Sequence, residues 1–174
     1  MVKIKLNGIN CTLSVNLYSL YNTSSELSIT TPKLLERLSG LDLYAYSHMI
    51  YYSLEQHNPN VKYDDILDLG LEELLEIIEV VNVELAKSMP KSKEEEGNNS
   101  SSNNNDEDDE DWNYPYMEYI WSTILKRTTN YLYATPKNLF EQFDIYKKVN
   151  GLEEVKEEQP KKKKVVEKYI DEIF

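Results

Sequence analysis

Cysteine occurs once in these 174 residues, at Cys11, so no internal disulfide can form and the composition suits a reducing compartment. Histidine is nearly as scarce, with only His48 and His57, and the 5 glycines never gather into a phosphate-binding loop. There is no nucleophile elbow and no cluster of histidines with acids, so no catalytic residue, cofactor site or metal site is expected. A catalytic thiol at Cys11 with His48 or His57 as base is formally open, but a lone cysteine in a strand pattern is more often small apolar filler. Positive charge is in deficit: 19 Lys and Arg stand against 31 Asp and Glu, a formal net charge of −12. Nucleic acid and anionic membranes are themselves negative, which disfavours both as non-specific partners and points to protein partners. Long apolar runs are missing too. The opening MVKIKLNGINC falls short of the roughly seven consecutive apolar positions of a signal sequence, and no later stretch approaches the ~20 of a membrane span. A soluble chain that stays where it is made is the expectation.

What the chain does have is a sharp internal division. Residues 94–111 read EEEGNNSSSNNNDEDDED, without one apolar side chain. Such a tract cannot bury enough surface to offset the entropy of ordering it, and its charges repel one another, so it reads as a disordered tether between modules that move independently. A calcium loop is the alternative for so many acids. An EF-hand needs glycine at its sixth position and glutamate at its twelfth, and no phase of 103–111 supplies both.

Before the tract, Val2, Ile4 and Leu6 alternate with Lys3 and Lys5, Asn7-Gly8 suits a tight primed turn, and Leu13 and Val15 resume the alternation, predicting a hairpin across about 2–15. Helical spacing follows. Thr31 as cap with Pro32 in the first turn opens a short helix carrying Leu34, Leu35 and Leu38 and ending at Gly40. Asp42 caps a second, with Leu43, Tyr46, Ile50 and Leu54 on one face until Asn58-Pro59. Asp64 and Asp65 open a brief turn closed by Gly70. Leu71, Leu74, Leu75, Ile78, Leu85 and Met89 then line one stripe of a long helix ended by Pro90, with Glu72, Glu73, Glu76 and Glu79 opposite. Carboxylates spread along an outward face are usually a solvated surface, not an acid–base pair.

This succession resembles the tail assembly chaperones of long-tailed, siphovirus-type bacteriophages: a hairpin opening MVKIKLNG, a small helix closed by LERLSG, a helix LYAYSHMIYYSLEQHNPN, an acidic start YDDILDLG, and a long final helix LEELLEIIEVVNVELAKSMPK. It covers about residues 1–91. No single motif is diagnostic; the order and spacing of the parts carry it, especially N-P-N followed by D-D-I-L-D and the closing KSMPK. Two departures stand out. Lys62 replaces a capping Ser or Thr, and Tyr44, Tyr46, Tyr51 and Tyr52 make the third element unusually aromatic.

After the acids comes WNYPYMEYIWSTILKRTTNYLYATPKNLFEQFDIYKKVNG. Pro115 starts a helix with Met117, Ile120, Trp121, Ile124 and Leu125 at helical spacing. Thr135-Pro136 caps and starts another with Leu139, Phe140, Phe143 and Tyr146, ended by Gly151. Two such helices bury little alone, so Trp112, Tyr114, Tyr116, Tyr119, Tyr131 and Tyr133 suggest a partner-binding surface completed by another protein. A nucleic-acid stacking platform would interleave its aromatics with many cations, whereas between Trp112 and Phe143 only Lys126, Arg127 and Lys137 are at hand. Beyond 151, Glu153, Glu154, Glu157 and Glu158 precede Lys161 to Lys164, a charge-balanced segment by the simpler reading and a phosphate-binding run by the sharper one. Val166, Ile170 and Ile173 then share one helical face, fitting a docking peptide.

The expected architecture is mainly α with a small N-terminal β-hairpin, an α+β chain. It comprises a helical domain over 1–91, an acidic Asn/Ser-rich linker over 92–111, an aromatic helical hairpin over 112–150, and a charged tail with a terminal amphipathic helix over 151–174. The resemblance implies a long form of the chaperone, made by ribosomal frameshifting between Lys87 and Asp111. Its first domain would hold the tape measure protein and its added domain the tail tube subunit, in the host cytoplasm, with no enzymatic activity and no place in the finished virion. A short form of the same chaperone, or a second copy, is a compatible further partner. The competing function is an acidic mimic of nucleic acid that inhibits a host DNA-binding protein. Such a mimic needs carboxylates in rigid rows, while the densest acids here lie in the tether.

Overall fold

A computed structural model describes residues 1–90 and 111–152. The expected linker, apart from Asp111, and the expected tail from 153 onward lie outside the described residues. Within them the chain is mainly helical with one two-stranded antiparallel sheet.

Strands β1 (Val2–Leu6) and β2 (Ile9–Leu13) pair with Val2 opposite Leu13, Ile4 opposite Cys11 and Leu6 opposite Ile9. Asn7 and Gly8 both take positive φ, 49° and 78°, the primed turn that matches the twist of the strands. The two-residue period turns Ile4, Leu6, Cys11 and Leu13 inward and leaves Lys3 and Lys5 in water. Cys11 is buried in this core, as apolar filler would be.

The chain then enters α1 (Leu17–Glu26), a helix that periodicity alone does not announce because LYSLYNTSSE is rich in Ser, Thr and Asn. It forms because its polar groups are satisfied locally. Asn16 and Ser19 make a reciprocal capping box, and the Thr23 hydroxyl donates to the Ser19 carbonyl at 2.7 Å. Leu17 and Leu20, both fully buried, anchor it. Helix α2 (Thr31–Ser39) is capped by Thr30, one residue earlier than expected, whose hydroxyl accepts from the Lys33 amide. Asp42 caps α3 (Leu43–Glu55) as expected, accepting from the Tyr44 and Ala45 amides. Those amides, then Arg37, hold its carboxyl below the usual range. Helix α3 is the central element, with Tyr46, Met49, Ile50 and Leu54 buried against α1, α2 and β2. Helix α4 (Tyr63–Leu67) lacks a capping side chain at Lys62; Asp65 instead accepts from the Lys62 amide at 2.8 Å, half of a capping box. In α5 (Leu71–Ser88) the buried stripe is Ile77, Ile78 and Val81, while Leu71 and Leu75, expected to line it, are exposed.

The second segment opens with α6 (Tyr114–Tyr119), which passes into one π turn over Ile120–Ile124, closed by the Leu125 amide donating to the Ile120 carbonyl at 2.8 Å. A 3-10 turn (Tyr131–Tyr133) leads to α7 (Pro136–Val149), capped by Thr135. Here the structure departs from the expectation of modules moving independently. Tyr114, Met117, Ile120, Trp121 and Leu139 form a core together with Leu17 of α1, and Trp112 packs against both this core and that of the first segment. Three hydrogen bonds cross the same junction: Leu17 amide to Ala134 carbonyl at 3.0 Å, Thr31 amide to Asp111 carboxylate at 2.7 Å, and Thr31 hydroxyl with the Tyr114 hydroxyl at 2.9 Å. Two short helices lacked a core of their own, and α1 supplies it.

Candidate interaction surface

The six aromatics expected to meet a partner divide by where α6 and the 3-10 turn point them. Tyr114 faces inward, only 5% exposed, with its ring edge-on to Tyr21 at 4.9 Å; burial drives its phenol pKa far upward, so it stays protonated. It belongs to the internal junction. Trp112 and Tyr131 are half-buried against the second core. Tyr116 and Tyr119, neighbours one turn apart on the outer face of α6, and Tyr133 are exposed. Tyr133 lies 5.9 Å from Tyr18 of α1, ring to ring, which carries the aromatic surface from one segment onto the other. Trp121 is buried as a core residue, its indole N–H donating to the Thr129 carbonyl at 2.7 Å, and Ile124 and Phe143 pack beside it.

A second aromatic cluster lies on α3, where Tyr44 is exposed, Tyr51 and Tyr52 are half-buried and His48 is buried. Tyr44, His48, Tyr51, Tyr52 and Glu55 recur at helical spacing on the side away from Tyr46, Met49 and Ile50. The Tyr44 ring meets His48 edge-on at 4.8 Å; His48 stacks on Tyr63 of α4 at 4.5 Å and 19°; Tyr63 meets Tyr51 at 5.8 Å; Tyr51 meets Tyr52 at 5.0 Å. Two carboxylates flank this ribbon. Glu26 accepts from the Tyr52 hydroxyl at 3.3 Å, and Glu55 accepts from the Tyr18 hydroxyl. Burial, then Glu26, pushes Tyr52 up to about 12. Burial pushes His48 down, and its Nε2 is 3.1 Å from the Tyr63 hydroxyl. The run YAYSHMIYY signals these rings; their joining to Tyr63 and Glu26 depends on the packing of α4 and α1.

Two further features complete the described surface. Leu67, Leu71 and Leu75 are exposed at four-residue intervals across the α4–α5 corner. A cleft of about 420 Å³ between the hairpin and residues 57–61 is lined by Cys11, His57, Asn10 and Asn58. Burial and nearby Asp65 push the Cys11 thiol up, away from the thiolate that nucleophilic chemistry requires. Among the described residues no helix is long and apolar enough to cross a membrane, and no group of three or more His, Cys, Asp or Glu is placed to hold a metal.

Compared with protein-family models, with characterised proteins and with solved structures, the chain matches none. What its surface presents outward is rings, leucines and carboxylates.

Proposed function

We propose that this chain is a non-enzymatic tail assembly chaperone of a long-tailed bacteriophage, working in the host cytoplasm to hold the tape measure protein and recruit tail tube subunits. The observation that carries the reading is the sequence order of the parts in 1–91 on which the resemblance rests, hairpin, short helix, aromatic helix, acidic turn and long helix; helix α1 is an additional element between the first two. The exposed aromatics support it. A holdase needs uncovered apolar area that its own core does not use, and Tyr116, Tyr119 and Tyr133 provide that on the second segment, as Leu67, Leu71 and Leu75 do on the first. In this reading the leucine corner takes the tape measure polypeptide and the tyrosines of α6 take the tube subunit. Because the second segment is packed on α1, the two surfaces ride on one body, and a chaperone seated on the scaffold displays its tube-binding rings at a fixed distance along it.

The test is co-expression of the full chain with the tape measure and tube proteins of the same genome. Tyr116→Ala with Tyr119→Ala should weaken tube capture by roughly 1–3 kcal/mol per anchoring ring while the circular dichroism spectrum is unchanged. Leu71→Ser with Leu75→Ser should lower the soluble yield of tape measure protein and leave tube capture intact. Undiminished capture by the first variant together with undiminished solubilisation by the second would overturn the proposal.

A further inference from the structure

We propose that the aromatic ribbon of α3 and α4, flanked by Glu26 and Glu55, is a docking surface for arginine side chains of a partner protein. The ribbon is open to solvent at Tyr44 and half-buried at Tyr51, Tyr52 and Tyr63, and the charges around it say what could cover it. Helices α1, α3 and α4 contain no Lys or Arg; the adjoining cation is Lys62, exposed at the N-cap of α4. The charges acting on the rings are carboxylates: Glu26 on His48, Tyr52 and Tyr63, and Glu55 on Tyr18, Tyr51 and Tyr52. Tyrosine faces carry the negative lobe of the ring quadrupole, so rings and carboxylates together form a surface of one electrostatic sign with an apolar floor. An anionic partner is repelled there, and a neutral apolar partner would bury Glu26 uncompensated.

The cation that fits is arginine. Its guanidinium is planar, weakly hydrated, stacks on aromatic faces and donates to a carboxylate through a fork, whereas lysine presents a compact, strongly hydrated point charge. The ribbon offers both contacts side by side. Tyr44 is 58% exposed at one end, Glu26 is exposed, and Glu55, though it accepts from Tyr18, keeps acceptor positions because a carboxylate has about four. The inference does not depend on which assembly the chain serves, and it concerns a face other than the Tyr116–Tyr119 surface assigned to tube capture.

The test is a titration of the full chain, with its tyrosine rings 13C-labelled, by an acetylated tri-arginine amide, by the tri-lysine equivalent and by the neutral tri-citrulline isostere. Expected are shifts at the Tyr44, Tyr51, Tyr52 and Tyr63 signals with tri-arginine, weaker binding of tri-lysine, and none of tri-citrulline. Glu26→Gln with Glu55→Gln should weaken tri-arginine binding about threefold or more at those signals, and Tyr44→Leu, which leaves a folded core, about two- to fivefold. Glu72→Gln with Glu76→Gln removes the same charge from the outer face of α5 and should change affinity by less than about twofold. Equal weakening by that control, equal binding of tri-lysine, shifts spread over all tyrosines, or no shift at the four rings would each overturn the arginine assignment. None of these outcomes bears on tube capture, which is read at α6.

Discussion

Removing one oxygen, the Tyr114 hydroxyl, tests whether the two segments are one folding unit. That hydroxyl is 2.9 Å from Thr31 Oγ1, and both residues are buried, Thr31 completely. Tyr114→Phe keeps the ring against Tyr21 and Trp112 but leaves the Thr31 hydroxyl without its cross-segment partner. The lost bond contributes about 0.5–1.5 kcal/mol and the orphaned buried hydroxyl costs about 1–3, with some relaxation between them, so roughly 1–2 kcal/mol is expected. For a chain of this size that is a fall in Tm of about 3–6 °C. Thr31→Val in the Tyr114→Phe background removes both polar groups, so the double variant should lose less than the sum of the singles, by about 1 kcal/mol of coupling. The assay is urea denaturation of the full chain followed in parallel by tryptophan fluorescence and by far-ultraviolet circular dichroism. The fluorescence reports Trp112 and Trp121 in the second segment, and the circular dichroism is dominated by the helices of the first. One coincident transition, shifted equally for both probes by Tyr114→Phe, is the expected result. Two separate transitions, with only the fluorescence midpoint moved, or a coupling of zero, would refute the shared core.

Two more predictions follow from buried polar groups. The Ser53 hydroxyl is fully buried in α3 without a hydrogen-bond partner among the described residues, so Ser53→Ala should raise stability by about 0.5–2 kcal/mol in thermal melts, and a clear loss would mean that the hydroxyl is bonded after all. His48, facing Tyr44, Tyr63 and the Glu26 charge, has its folded pKa lowered by burial, so the unfolded chain holds its proton more tightly: this contribution to stability is complete above about pH 6.5 and is lost as pH falls through the folded value. His48→Phe keeps the stack on Tyr63, and urea midpoints between pH 7.5 and 5 should then fall less steeply than in the native chain; an unchanged slope would place the acid sensitivity elsewhere.

Local chemistry was enough to determine the elements whose signals lie within a few residues. Asn7-Gly8 specifies a primed turn because both positions need positive φ, Asp42 and Thr135 specify helix starts because their oxygens satisfy free amides, and the alternation around Lys3 and Lys5 sorts the hairpin faces. Helix α1 was not legible in this way, since Ser, Thr and Asn favour turns as readily as helices until a capping box and the burial of Leu17 and Leu20 decide between them. Composition sets the stretch 94–111 apart by its lack of apolar side chains, but it cannot say whether the segments on either side touch. Only tertiary packing decided that, because Leu17, Thr31 and Tyr114 are far apart in the chain and their pattern reads the same whether each faces water or the other segment. It sorted the aromatics for the same reason. Tyr114 and Tyr116 are indistinguishable as residues, and one turn of α6 puts the first in a core shared with α1 and the second in solvent.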